Sequence, residues 1–163
     1  MIEALLFIGF LIVQRLAELA IAKRNTARLR ARGAVEHGAG HYGTIVALHA
    51  SWIAAIAVWG WDEPVRLGWL VPFAILQALR AWVLATLGPR WTTRILVVPG
   101  ETLVAQGPFR WIPHPNYAVV VAEMVVAPMV LGLWWVALVW GVANVALLAL
   151  VRIPAEERAL GLR

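Results

Sequence analysis

Residues 124–151 read MVVAPMVLGLWWVALVWGVANVALLALV and contain no Asp, Glu, Lys or Arg. Together with its flanks, 116–153 would form a single helix about 57 Å long at ~1.5 Å per residue, far beyond a hydrocarbon core of ~30 Å. The segment must therefore turn, and Gly132, which follows Pro128, is the best position for that turn. We predict a helical hairpin whose two arms leave and re-enter the same side of a membrane.

Two polar clusters flank this hairpin, HPNY at 114–117 and RIPAEE at 152–157. Because the arms begin and end on one side, both clusters are predicted to lie at the same membrane face. Charged groups are costly to hold beside hydrocarbon, so their presence there indicates a function.

The composition predicts an all-α integral membrane protein with a single domain over 1–163. The chain is 62% hydrophobic and 14% charged, with a mean hydropathy of +0.78, whereas a soluble domain carries about 25% charged residues. The absence of cysteine excludes disulfides, thiolate-metal sites and a cysteine nucleophile. The net charge of +5 does not indicate nucleic-acid binding, because five basic residues crowd the stretch 23–32, just after an apolar run. That pattern is typical of a cytoplasmic loop beside anionic lipid headgroups.

Three further spans are predicted at 2–22, 42–61 and 67–87, each close to the ~20 residues that a spanning helix needs. Gln14, Arg15 and Glu18 fall within the first span, and we expect them to face neighbouring helices. With about five spans and the N-terminus outside, every basic segment lies inside, as the positive-inside rule requires. We therefore predict a multi-pass protein of the cell (inner) membrane with a cytoplasmic C-terminus.

The loop 88–113 is the least helical region, with Gly-Pro or Pro-Gly turns at 88–89, 99–100 and 107–108 around a β-prone run at 94–98. We expect a compact cytosolic loop with a hairpin, longer than a plain connector needs. Two other patterns carry little weight. The glycines 38, 40 and 43 match a dinucleotide fingerprint, but no strand is predicted before them. His37 and His41 have metal-ligand spacing without a third ligand, so no metal site is predicted.

The motif GPFRWIPHPNY at 107–117, followed by Glu123, Asn144 and R-x-x-x-E-E at 152–157, resembles the isoprenylcysteine carboxyl methyltransferase family over roughly the last 75 residues. The N-terminal half, with Arg24-Asn25, Glu36 and His41-Tyr42, looks like a bacterial branch linked to O-methylation of phenolic lipids. The resemblance implies S-adenosylmethionine as donor, with S-adenosylhomocysteine as product, a lipidic or prenylated acceptor entering from the bilayer, and a cytosol-facing cofactor site. In that family the chain continues past the Glu pair into a further amphipathic segment, whereas this sequence stops at Arg163, so we expect part of the cofactor lid to be either missing or supplied differently.

The family pattern implies cofactor contacts at His114, Tyr117, Glu123 and the terminal Glu pair, with Arg152 nearest the acceptor. The chemistry of the residues is compatible, because aromatic faces hold a sulfonium and an adenine ring. The predicted cofactor-binding residues are Phe109, Trp111, His114, Pro115, Tyr117, Glu123 and Glu157.

The predicted catalytic residues are Arg152 and Glu156, which can pair at i and i+4 if that stretch is helical. A carboxylate acceptor needs only a cationic clamp from Arg152. A phenol benefits from a base, for which Glu156 or His114 is a candidate. His41 and Asn144 are weaker candidates for gating the acceptor.

Several alternatives remain open from the sequence alone. Arg152 and the Glu pair also fit an interfacial anchor, Glu123 a bridge between helices, and Asn144 an interhelical hydrogen bond. A steroid-reductase-type membrane enzyme would use NADPH, with Arg90, Arg94 and Arg110 available for its 2′-phosphate. A non-catalytic membrane subunit or small transporter is a third class, and an oligomer is compatible with each.

Overall fold

The structure, a computed structural model, describes residues 1–162 and confirms an all-α integral membrane fold. The elements in chain order are α1 (Ile2–Ala31), β1 (Val35–His37), α2 (Ala39–Gly60), α3 (Leu67–Leu87), β2 (Ile95–Val97), α4 (Pro115–Val130), α5 (Trp134–Leu147) and α6 (Ile153–Ala159). Single 3₁₀ turns lie at Gly88–Arg90 and Gly107–Arg110, and a π-helical turn at Leu148–Arg152 joins α5 to α6. By length and composition, α1, α2, α3 and the continuous stretch Trp134–Ala159 can each cross a membrane, and α4 is a shorter apolar helix.

The first helix is longer than the sequence predicted. α1 ends at Ala31 rather than at residue 22, so most of the basic stretch continues the helix and the prediction of a loop there was wrong. Lys, Arg and Ala are strong helix formers, and Arg28 and Arg30 in the last turn interact favourably with the helix dipole. At ~1.5 Å per residue the 30-residue helix is about 45 Å long, so its polar end projects beyond the hydrocarbon.

The turn between α4 and α5 confirms the predicted hairpin. Gly132 has φ +71°, in the left-handed region that favours glycine. A Cβ at this position would lie 2.3 Å from the Arg66 guanidinium, and the Arg66 backbone N–H donates to Val130 O at 2.8 Å. The glycine therefore allows both a sharp turn and a close approach of the α2–α3 connection.

The short strands differ from the prediction of a hairpin within 88–113. β2 pairs antiparallel with β1, which comes from the α1–α2 connection, in the register Val35↔Val97 and His37↔Ile95. The prediction was wrong because the strand that pairs with β2 lies in the α1–α2 connection and not within the loop 88–113. A strand does precede the glycine pattern at 38–43, contrary to our prediction. This strand has only three residues and one antiparallel partner, and the helix after it is a candidate membrane span, so it lacks the parallel βαβ unit of a dinucleotide site.

The apolar core lies in the half of the bundle that contains the Gly132 turn, and helices α1 to α5 all contribute to it. Trp52 is fully buried there, and its indole N–H donates to Met124 O at 3.3 Å. Leu131 and Leu133, which flank the turn, belong to the same core. The opposite end of the bundle carries both strands, the loop 88–113 and the start of α4. The core therefore anchors the hairpin and leaves the polar ends of its arms at the other end.

Candidate functional site

The start of α4 positions the first pair of predicted site residues. His114 is the residue before the helix, and Pro115 occupies the first turn, where its fixed φ suits the helix and its missing N–H costs nothing. The His114 and Tyr117 rings stack with centroids 5.5 Å apart and planes 25° from parallel. Pro115 therefore positions an aromatic platform at the helix start.

Arg152 joins this platform to the far arm of the hairpin. The π-helical turn at Leu148–Arg152 brings its guanidinium toward α4, where Nε donates to the Tyr117 hydroxyl at 3.0 Å. Nη2 donates to Thr93 O at 2.9 Å in the loop 88–113. The Arg152 residue is only 5% exposed. One side chain thus ties together α4, the loop and the end of α5.

The terminal Glu pair lies in α6, against the same imidazole. His114 Nδ1 is 3.6 Å from Glu156 Oε2, and His114 Nε2 is 3.6 Å from Glu157 Oε1. Glu156 Oε2 is buried and has no hydrogen-bond partner among residues 1–162. We call His114, Tyr117, Arg152, Glu156 and Glu157 the His114 cluster. The prediction that both polar motifs meet at one face is therefore confirmed.

The predicted i,i+4 pair between Arg152 and Glu156 does not form. No ion pair within 4.0 Å joins them in the described part of the chain, because the guanidinium is directed at Tyr117 and Thr93 instead. The π-helical turn just before α6, followed by Pro154 at its start, changes the spacing that a regular α-helix would give.

A chain of contacts behind Arg152 was missed by the sequence analysis. The Thr93 hydroxyl is hydrogen-bonded to the Tyr42 hydroxyl at 2.9 Å. The guanidinium of Arg94 lies 4.0 Å from the centroid of the Tyr42 ring, and its Nη1 contacts Glu36 Oε1 at 2.5 Å. No signal in the sequence pointed to Thr93, because its contribution to Arg152 is a backbone carbonyl.

Glu36 is the charged end of this chain of contacts, beside the paired strands. Its second oxygen contacts Arg30 Nη2 at 2.5 Å. Burial opposes ionisation, but the hydrogen bonds and charges of Arg94 and Arg30 outweigh it and hold the pKa of Glu36 below its usual value. The carboxylate therefore stays ionised at neutral pH and helps to fix the α1–α2 connection against the loop.

Glu123 is not brought to the His114 cluster. It lies eight residues beyond Pro115, about 12 Å along α4 at ~1.5 Å per residue. Its carboxylate is 0% exposed and contacts Arg15 Nη2 at 2.5 Å, Arg80, and Gln77 Nε2 at 3.1 Å. These contacts match the alternative interpretation, a bridge between helices. The role of Glu123 as a cofactor ligand stays an untested prediction, and the geometry does not favour it.

The same contacts define a second polar group within the bundle. Glu18 is 2.8 Å from Arg15 Nη1 and 3.1 Å from Arg80 Nη1, and Gln14 donates to Glu18 at 3.2 Å. We call Arg15, Glu18, Gln77, Arg80 and Glu123 the core ion cluster. Arg15 and Glu18 do face neighbouring helices, as predicted, whereas the hydrogen bond of Gln14 is to Glu18 of its own helix. Arg80 was overlooked, although a charged residue inside a predicted span was itself a signal that it needs a partner.

Phe109 and Trp111, the two loop residues predicted to bind the cofactor, lie apart from the His114–Tyr117 platform. Phe109 packs against a small cluster of Ala22, Val83 and Trp91 between α1, α3 and the loop. Trp111 is 71% exposed. The placement of Trp111 suits an interfacial anchor, and neither side chain contributes to the platform in this structure.

The two weaker gating candidates lie in different surroundings. Asn144 on α5 is 1% exposed, and its Nδ2 has no hydrogen-bond partner within residues 1–162. His41 lines an open groove of about 390 Å³, together with His37, Leu150 and Arg158. It lies within electrostatic range of Arg152. His41 is therefore the better placed of the two for contact with a ligand near Arg152.

Comparison with known proteins identifies the family. The sequence profile of the Isoprenylcysteine carboxyl methyltransferase (ICMT) family matches residues 69–161. The chain is also 40% identical over 162 residues to a Bacillus subtilis (strain 168) protein named "Uncharacterized protein YpbQ", with 95% of each chain covered. The profile match covers α3 through α6, including the whole His114 cluster. The chain belongs to this family and is a multi-pass membrane protein of the methyltransferase class.

Proposed function

We propose, from this family membership, that the protein is an S-adenosylmethionine-dependent O-methyltransferase acting on a lipophilic acceptor at the cytoplasmic face of the cell membrane. The observation that carries the proposal is the convergence of an imidazole, a phenol, a guanidinium and two carboxylates where the hairpin arms end. The basic end of α1 lies at the same end of the bundle, which supports the cytoplasmic orientation by the positive-inside rule.

The His114 cluster fits the chemistry of the donor. S-adenosylmethionine has a sulfonium, an ammonium group and a ribose diol, and when bound it supplies an activated methyl group. Carboxylates accept from ammonium and hydroxyl groups, and aromatic faces attract cations. Glu156 Oε2, which is buried without a hydrogen-bond partner among the described residues, is available for such a donor. Glu156, Glu157 and the His114–Tyr117 platform are therefore the residues that would hold it.

Arg152 is the residue we assign to the acceptor. Its guanidinium has five N–H groups, of which the contacts with Tyr117 and Thr93 use two. The remaining N–H groups can clamp an anionic oxygen, and because Arg152 is held from two sides its position is preorganised. Methyl transfer needs mainly alignment and the exclusion of water, both of which a held, buried guanidinium supports.

The class of acceptor decides what Glu156 does. A prenylcysteine-type carboxylate is already ionised and needs no base, whereas a phenol of pKa about 10 must lose its proton. Glu156, next to both Tyr117 and His114, is the group we assign as that base. The phenolic polyketide lipids of the bacterial branch and prenylcysteine-type carboxylates are thus distinguishable by their dependence on this residue.

The basic residues of the loop 88–113 give little support to the NADPH-dependent alternative. Arg90 contacts Glu101 at 3.2 Å and donates to Thr102 O at 2.8 Å, while Arg94 is engaged by Glu36 and Tyr42. Two of the three arginines that were candidates for a 2′-phosphate therefore already have partners. We do not assign NADPH to this protein.

The decisive experiment uses the purified full chain and labelled S-adenosylmethionine with two acceptor pools, prenylcysteine analogues and alkyl phenols. We expect S-adenosylhomocysteine, but not NADP, to raise the thermal unfolding midpoint, and label to enter one pool. Stabilisation by NADP alone would contradict the assignment of S-adenosylmethionine as the methyl donor. Donor binding with no label in either pool would overturn both acceptor classes.

A variant comparison then tests the assignment of Glu156. At saturating donor, Glu156→Gln should lower phenol methylation by about 10²–10⁴-fold if the carboxylate is the base, and carboxylate methylation much less. Glu101→Gln, which removes a loop carboxylate paired with Arg32 and Arg90, is the matched control. Equal losses in Glu156→Gln and Glu101→Gln would contradict the role of Glu156.

A further inference from the structure

An open groove of about 340 Å³ lies where the polar end of α1 crosses the end of α3, away from the His114 cluster. Its apolar lining includes Ile21 and Leu84, and Arg24 and Arg28 also line it. Ile21 and Ala22 are the last apolar residues of α1 before the basic stretch. The groove therefore lies at the level where α1 passes from hydrocarbon to water.

The basic residues at the end of α1 are not equivalent. Arg30 contacts Glu36 at 2.5 Å, and Arg32 is paired with Glu101. Within residues 1–162, neither Arg24 nor Arg28 forms an ion pair, although they stand four residues apart on one helix face. The two arginines that line the groove are thus cations without an anionic partner in the part of the chain that the structure describes.

Hydrogen bonds fix the walls of the groove. Asn25, which is buried between α1 and the loop, donates from Nδ2 to Gly88 O at 3.1 Å and to Trp91 O at 2.8 Å. Ala22 and Val83 pack against Trp91 beneath it. The distance between the end of α1 and the end of α3 is therefore set by buried contacts.

We propose that this groove binds one anionic phospholipid, with its phosphate between Arg24 and Arg28 and an acyl chain along Ile21 and Leu84. Two unpaired guanidiniums provide the complementary charge, because arginine binds phosphate oxygens through a planar fork of N–H groups. The apolar lining at the membrane interface favours a lipid over a free phosphate ion. The site needs neither the methyl donor nor the acceptor, so it stands independently of the proposed function.

The test uses the full chain in micelles of a non-ionic detergent, titrated with dioleoylphosphatidylglycerol that carries a photoreactive acyl chain. We expect saturable cross-linking at Ile21 or Leu84. Arg24→Gln and Arg28→Gln should each weaken binding about fivefold. Lys23→Gln is the matched control, because Lys23 is an exposed cation on the same helix that does not line the groove. The variant with both Arg24→Lys and Arg28→Lys keeps the charges but loses the planar forks, so its affinity should lie between that of the parent protein and that of the variant with both Arg24→Gln and Arg28→Gln. Unchanged thermal unfolding midpoints establish that the variants are folded.

Four results would overturn the proposal. The first is an equal loss of binding in Lys23→Gln and Arg24→Gln, which would mean attraction by diffuse surface charge. The second is cross-linking that is unaffected by either glutamine variant. The third is competition by inorganic phosphate at concentrations similar to the lipid, which would indicate a free-phosphate site. Competition by dioleoylphosphatidylcholine equal to that of the anionic lipid would also exclude the proposed charge recognition.

Discussion

The core ion cluster and the His114 cluster each include a residue of α4, and both contain arginine and glutamate, yet the partners of these residues differ. In the core ion cluster, two glutamates are matched by two arginines, and both oxygens of Glu123 have donors. In the His114 cluster, Glu156 Oε2 has no hydrogen bond within residues 1–162, and the side chains of His114 and Glu156 are 20% and 28% exposed.

This difference separates a group that holds helices together from one that is available to a ligand. Inside a membrane, an unpaired charge is expensive, so a set of charges that neutralises itself across α1, α3 and α4 serves the fold. A polar group near the surface whose hydrogen-bonding atoms are unused can bind a ligand through those atoms. Within residues 1–162 the Nε atoms of Arg15 and Arg80 also lack a partner, but every carboxylate oxygen of the core ion cluster has a donor. The functional assignment therefore follows from the carboxylate oxygen that has none, Glu156 Oε2.

The largest effect is expected from Glu123→Gln. The change leaves Arg15 and Arg80 facing a single carboxylate, Glu18, inside the bundle. Removing one partner of a buried ion pair costs about 3–5 kcal/mol, so we expect a much lower thermal unfolding midpoint and little folded protein after gel filtration. Glu3→Gln, at an exposed position in the first turn of α1, should leave both measurements unchanged.

A double variant sharpens this prediction. Combining Glu123→Gln with Arg80→Gln restores neutrality, because Arg15 and Glu18 remain as a pair. We expect it to recover part of the lost stability. The opposite result would be a Glu123→Gln variant that has the same thermal unfolding midpoint as Glu3→Gln but does not bind S-adenosylhomocysteine. Glu123 would then be a cofactor ligand, as the sequence analysis predicted, and the contrast between the two clusters would be wrong.

The second-largest effect is expected from Arg152→Lys. Lysine keeps the charge but cannot donate to the Tyr117 hydroxyl and Thr93 O in the present geometry while also clamping an acceptor. We expect kcat/KM for methyl transfer to fall by about 100-fold or more, the usual loss when a positioned donor is removed, with donor binding retained. A kcat/KM for methyl transfer within a factor of three of the parent protein's value would contradict the assignment of Arg152 to the acceptor site.

The smallest effect is expected from Tyr42→Phe. It deletes the hydrogen bond to the Thr93 hydroxyl and leaves the ring beneath Arg94 in place. A loss of about 1 kcal/mol in positioning Arg152 corresponds to about a fivefold lower kcat/KM. Ser51→Ala is the control, because it also removes side-chain hydrogen bonds, one from the Trp140 indole and one to Leu48 O, without touching the contacts of Arg152. Equal losses in both variants would mean that Tyr42 acts only through general stability.

Part of the candidate site was predictable because it depends on local sequence. The proline pair around His114 starts α4, Gly132 turns the hairpin, and hydrophobic length requires the two arms to return to one face. The side-chain partners were not predictable in the same way. Arg152 was expected to pair with Glu156 four residues away, but its contacts are with Tyr117 and Thr93, which are 35 and 59 residues away.

The sequence by itself determined the membrane class, the position of the hairpin turn and the face on which the polar motifs meet, because length and hydrophobicity act locally along the chain. Only the tertiary structure placed Glu123 in the core ion cluster, since its partner Arg15 is 108 residues away. The tertiary structure likewise decided that β2 pairs with β1. It also decided that, among residues 1–162, Arg30 and Arg32 form ion pairs while Arg24 and Arg28 do not. Charge pairing depends on distances between helices, and those distances exist only once the helices have packed.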